Sequence, residues 1–142
     1  MFGTGKLSEE VLVTAYAVVV EGPADVAWVN AEETTSFMVV AIRTVGTGAL
    51  DDFRILGNPQ ANGGGTDVVL AGQHADIATA NAVGDWLMLE VTEADLAAQA
   101  ENPILGLSAS LGHVVATDDT AVTYIQRKRK QQADLTASSV IS

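Results

Sequence analysis

The residues able to do chemistry in this chain are few and scattered. Two histidines occur, His74 within "GQHADIA" and His113 at the end of "LGLSASLGH". A neutral imidazole can accept a proton or bind a metal, but either task needs an orienting partner or further ligands close by. Neither histidine lies in a metal-ligand pattern. His74 therefore reads as a loop surface residue and His113 as a partly buried strand residue. Three pairs of adjacent carboxylates follow: Glu32–Glu33, Asp51–Asp52 and Asp118–Asp119. On a strand such neighbours face opposite ways, whereas in a turn they can converge on a cation. No regularly spaced calcium loop is present. Solvated turns are the expectation, with Asp118–Asp119 the pair at which a cation could sit.

Two glycine-bearing stretches have the outline of known motifs but not their chemistry. "GNPQANGGGTD" at 57–67 lacks the Lys-Ser/Thr ending and the following helix of a phosphate loop, and its glycine run predicts a flexible connection. "GLSASLG" at 106–112 approaches the G-x-S-x-G elbow, yet Gly106-Leu107-Ser108-Ala109-Ser110 does not complete it. Cysteine is absent, which excludes disulfides and thiolate metal sites. The expectation is no catalytic residue, no cofactor and no metal: the protein is not an enzyme.

The remaining chemical feature is charge. The chain has a net charge of -11 over 142 residues. Residues 1–126 carry three basic and 17 acidic side chains, whereas residues 127–130, "RKRK", carry four positive charges. So acidic a body repels nucleic acid over most of its surface, and the four cations lack interleaved aromatics. Nucleic acid is not an expected partner. An acidic protein surface is, including another copy of this chain. Arg127 and Arg129 can make forked contacts with carboxylates, and Lys128 and Lys130 act as point charges. A localisation tag rests on the pattern alone.

The elements that must carry these residues are strands. Apolar runs are short, rich in Val, Ile and Thr, and broken by Gly, Asn, Asp and Pro. Strands are predicted at 11–20, 25–29, 36–44, 50–56, 66–71, 86–91, 105–116 and 120–130. Within "SFMVVAIRT" both faces are apolar until Arg43, which predicts a central strand. Trp28, Trp86, Tyr16 and Tyr124 lie in apolar runs and read as core. The basic end of the last strand alternates Arg127 and Arg129 with Lys128 and Lys130, so that end is expected to project or to lie at a sheet edge. "TEADLAAQAEN" at 92–102 reads as a helix capped by Thr92, with Glu93 and Asp95 favouring its start. "VGTG" at 45–48 reads as a tight connection. The run "VLVTAYAVVV" at 11–20 is too short to span a bilayer, and no membrane partner is expected.

The fold expected is all-β: an antiparallel β-sandwich or barrel of about eight strands with one short helix and extended terminal arms. Residues 1–10 and 131–142 form the arms around a domain at 11–130. Phe2 and Leu7 would anchor the first arm, and Val140 and Ile141 the second, on neighbouring subunits.

The order of "TTSFMVVAIRTV", "FRILGNPQANGGGTDVVLAGQ", "GDWLMLEVTEADL" and "LGLSASLGHVVATDDTAVTYIQRKRK" resembles the layout of small β-sandwich virion proteins of tailed bacteriophages, of the head decoration or cement type. The resemblance covers roughly residues 34–130 and lies in layout, not in an invariant motif. It implies a structural protein on the capsid surface, made in the host cytoplasm. It further implies binding at junctions of the major capsid protein and assembly with copies of itself, often as a trimer. Tail-tube, neck or spike components would use similar contacts. A host-surface or glycan-binding β-sandwich would instead need an exposed aromatic.

Overall fold

The structure is a computed structural model that describes residues 10–21, 24–25, 27–73, 82–99 and 103–129, with side chains described from residue 27 onward. Nine strands occur among them: β1 (Glu10–Glu21), β2 (Ala24–Asp25), β3 (Val29–Asn30), β4 (Thr34–Val45), β5 (Leu50–Asn58), β6 (Val68–Gln73), β7 (Trp86–Thr92), β8 (Gly106–His113) and β9 (Asp119–Arg129). A helix, α1 (Glu93–Ala97), follows β7. The strand expected at 25–29 resolves into two short pairings, β2 and β3, because the chain there only touches β8 at its two ends.

Two antiparallel sheets form a sandwich. One has the order β1-β9-β4-β7; the other runs β2-β8-β5-β6, with β3 also paired to β8. Alternation explains the packing. From the first sheet Phe37, Val39, Ala41, Val91, Val122 and Tyr124 point inward and are buried; Leu50, Phe53, Ile55, Leu107, Ala109 and Leu111 answer them from the second. Phe37 and Tyr124 meet edge to face, with ring centroids 5.0 Å apart. Burying such side chains contributes about 1.5–3 kcal/mol each, and this is what fixes the strand register.

β4 lies between β9 and β7, as its two apolar faces predict. The last strand does not behave as predicted. β9 is paired on both sides to its end: Arg127 pairs with Leu12 and Ser36, Lys128 with Val11 and Thr34, and Arg129 with Glu10. Its basic end is therefore neither a projection nor an edge. Alternating charge decides which sheet face a side chain meets, and a face open to water accepts cations while the backbone stays paired.

The helix is shorter than the predicted span. Thr92 occupies the N-cap and both its N–H and its hydroxyl donate to the Asp95 carboxylate, at 2.8 and 3.0 Å. These bonds hold the Asp95 carboxyl below its usual 3.8, the backbone N–H contributing most.

A candidate interaction face

Among the described side chains, the outer face of the four-stranded sheet is apolar along the middle of β4 and the rows beside it. Outward positions of β4 are Met38, Val40 and Ile42; across the ladder Val40 pairs with Met88 and Ile42 with Trp86 on β7. On the other side Met38 pairs with Ile125, Val40 with Thr123 and Ile42 with Ala121 on β9. Trp86 is 62% exposed, Met88 48% and Ile42 41%. Trp86 was expected in the core; it stands instead on the outward row of an edge strand. Tyr124 does lie in the core. Trp28 is half-buried in the connection between β2 and β3, beside Gly63. The side chain of Tyr16 lies outside those described.

The outward row of β9 runs Asp119, Ala121, Thr123, Ile125, Arg127, Arg129. It begins in an acid and ends in a base. Arg127 is exposed and Lys128 half-buried. Arg129 is also exposed, and both oxygens of Glu93 on α1 accept from its guanidinium at 3.0 Å. Beside this pair a groove of about 440 Å³ is lined by Glu32, Glu33, Leu96, Pro103 and Ile104. The structure thus brings Arg127, Lys128 and Arg129 to one end of the sheet on different errands. Lys130, Phe2, Leu7, Val140 and Ile141 lie outside the described residues, as does His74.

Several polar groups inside the sandwich are engaged with one another. Arg43 Nη1 donates to Asp118 Oδ2 at 2.9 Å, and Arg43 Nη2 donates to the Gly48 carbonyl at 2.6 Å. The Gly48 N–H also donates to Asp118 Oδ2, at 2.8 Å. The expected solvated turn at Asp118–Asp119 is therefore replaced by a buried ion pair. Asp118 turns inward, so the two carboxylates do not converge on a cation. "VGTG" has a second purpose that the sequence did not disclose: a Cβ at Gly46 or Gly48 would run into the Asp118 carboxylate.

On the second sheet Arg54 clamps Asp52 through Nε and Nη2 at 2.6 and 3.0 Å, and the Ser110 hydroxyl donates to the same carboxylate. Ser108 and Ser110 both sit in the strand β8, not on a strand-to-helix elbow. His113 is buried, its Nε2 2.7 Å from Thr120 Oγ1. Among the described residues no group of three His, Cys, Asp or Glu side chains could hold a metal ion, and no helix is long and apolar enough to cross a membrane.

The glycine-rich connection after β5 is not the loose loop predicted. Asn58, fully buried, donates to Gly65 O at 3.0 Å and to Asp67 Oδ1 at 2.7 Å, while its own oxygen accepts from Gln60 N and Gly65 N. One side chain satisfies four partners, which ties the loop to the sheet.

Two antiparallel sheets around a single apolar core define the chain as an all-β sandwich protein. No family model matches it, and no curated protein matches it. Among solved structures it is similar to the SPBc2 prophage-derived protein YomS. The TM-score is 0.53 with 9% sequence identity, over 84% of this chain and 95% of that one.

Proposed function

We propose that this chain is a structural virion protein, a phage head decoration or cement protein that binds the major capsid lattice and copies of itself. The observation that carries the reading is the outer face of the four-stranded sheet, an apolar strip ending in Arg127 on a chain of net charge -11. Aromatic and Met side chains on an open sheet face suit a protein contact. The fold likeness to a prophage-derived protein, together with the layout of strands, favours a virion for that contact. The chain acts by mass action: binding the mature lattice stabilises it by the free energy of binding. The edges of both sheets and the terminal arms, with Phe2, Leu7, Val140 and Ile141 as anchors, supply the lattice contacts, and Lys128 and Lys130 add attraction to acidic neighbours.

A glycan-binding sandwich gains one supporting feature, the exposed ring of Trp86. Its neighbours Ile42, Val40 and Met88 offer no hydrogen bonds to sugar hydroxyls, so the face fits protein better than carbohydrate.

Imaging native particles with this chain located tests the proposal. Density at junctions of the head lattice is the expected result. Location in a tail tube, neck or spike would move the protein to those components, and absence from particles would end the virion reading.

A further inference from the structure

We propose that Asn62–Gly63 is a site of spontaneous deamidation, and that the Asn58 clamp on the connection after β5 sets its rate. This stands apart from the virion reading and does not rest on it. The dipeptide is the only Asn-Gly in the chain, and the fold makes use of both residues. Gly63 has φ of +80°, the left-handed region that favours glycine, and a Cβ there would run into the Trp28 indole. Asn62 is exposed. Its Oδ1 accepts from the Gly64 N–H at 3.0 Å, a side-chain turn. The ring closed by that bond contains both the Asn62 Cγ and the Gly63 nitrogen, so the two reacting atoms are confined to one small turn. The same N–H draws electron density from the carboxamide and makes Cγ more electrophilic. Glycine adds no side chain to hinder the approach.

The reaction needs only water and hydroxide. The Gly63 nitrogen gives its proton to hydroxide and attacks the Asn62 Cγ. The new N–Cγ bond forms, the Cγ–Nδ2 bond breaks, and Nδ2 takes a proton from water and leaves as ammonia. Water then opens the cyclic succinimide at either carbonyl. One product is aspartate at position 62. The other is isoaspartate, in which the main chain runs through the former side chain and is longer by a carbon atom. Either product adds a negative charge to a chain of net charge -11. The fold opposes the first step. The Gly63 N–H donates to the Gln60 carbonyl at 3.0 Å, and this turn must open before the nitrogen gives up its proton. Asn58 pins both sides of the turn: its Oδ1 accepts from the Gln60 and Gly65 N–H groups at 2.9 Å, and its Nδ2 donates to Asp67 Oδ1 at 2.7 Å. Asn58 is itself fully buried at the end of β5. The sheet thus holds the reactive dipeptide closed, and the modification records how often the connection opens.

Peptide mass spectrometry on the purified full-length chain, held at mildly alkaline pH and sampled over time, tests this. In folded wild type, Asn62 should convert ahead of Asn30, Asn58, Asn81 and Asn102, and should give both aspartate and isoaspartate. Wild type unfolded in urea lacks the clamp and should convert at Asn62 at least about tenfold faster than the folded chain. Folded Asn58→Ala should convert at least about fivefold faster than folded wild type, the order expected when one net hydrogen bond is lost from the closed connection. Asn62→Gln lengthens the side chain and should remove the isoaspartate signal. Another asparagine converting first overturns the proposal, as does aspartate as the sole product, which would mean direct hydrolysis. Equal rates in the folded and the unfolded chain, or in folded wild type and folded Asn58→Ala, would likewise overturn it. Circular dichroism checks that Asn58→Ala folds. Should it not, the comparison of folded with urea-unfolded wild type decides alone.

Discussion

Arg43 and Asp118 stand 75 residues apart in sequence and 2.9 Å apart in the fold, both almost wholly removed from solvent. The pair ties β4 to the turn that leads into β9, the two strands that carry the centre of the outer face. Two ions taken out of water cost several kcal/mol each, and only mutual attraction with further hydrogen bonds offsets this. Here Gly48 supplies both, through its carbonyl to Arg43 and its N–H to Asp118.

Removing one partner should therefore harm more than removing both. Asp118→Ala takes the Asp118 carboxylate away from the buried Arg43 charge and should lower stability by about 3–5 kcal/mol in urea unfolding. Arg43→Met combined with Asp118→Ala should recover much of that loss. A single variant as stable as wild type would show that the pair contributes nothing.

Gly46 has φ of +89° and no room for a side chain beside Asp118. Gly46→Ala should cost at least about 2 kcal/mol, because left-handed backbone strain and displacement of the carboxylate add together. Gly84, with φ of +93° but nothing near a Cβ, is the control: Gly84→Ala should cost only about 1 kcal/mol, from backbone strain alone.

Tyr124 joins the core to polar backbone. Its hydroxyl accepts from Ala109 N–H at 2.9 Å and donates to Ala27 O at 2.9 Å. Tyr124→Phe keeps the ring against Phe37 but leaves the buried Ala109 N–H without this partner, at about 1–3 kcal/mol. Thermal unfolding measures it. Amide exchange at Ala109 should quicken in the variant, which a mere packing change would not produce.

Asn58→Ala should release the connection at 59–67 while leaving β5 paired with β8. The expected signature is faster exchange at the Gln60 and Gly65 amides, both of which donate to Asn58 Oδ1. Unchanged exchange there would mean that the loop holds its shape without Asn58.

Asp95 titrates below 3.8 in the folded chain, because Thr92 donates to its charged form. A depressed carboxyl stabilises the fold above its unfolded value and loses that contribution as pH falls through the folded one. The helix start should therefore loosen only below pH 3.8. Thr92→Ala removes the hydroxyl donor but keeps the N–H, so the Asp95 carboxyl should titrate part of the way back toward 3.8 in an NMR pH series.

Local signals were legible along the chain. Alternation in "SFMVVAIRT" correctly made β4 an inner strand with two apolar faces, and Thr92 with Asp95 marked the start of α1, because period and capping act between near neighbours. Both faces of β4 being apolar was also the sequence's trace of the outer strip, though the same pattern suits a strand covered on both sides. What local pattern could not supply was pairing across distance. The basic run at 127–130 looked like an edge, and only the ladder shows β9 hydrogen-bonded on both flanks. Trp86 looked like core until β7 became the outermost strand. Asp118 looked solvated until Arg43, 75 residues away, came to meet it. Side-chain type and spacing thus determined which elements form. Which face of each element meets water, and which buried charge meets which, depends on contacts between segments far apart in sequence, and those exist only once the two sheets have closed on each other.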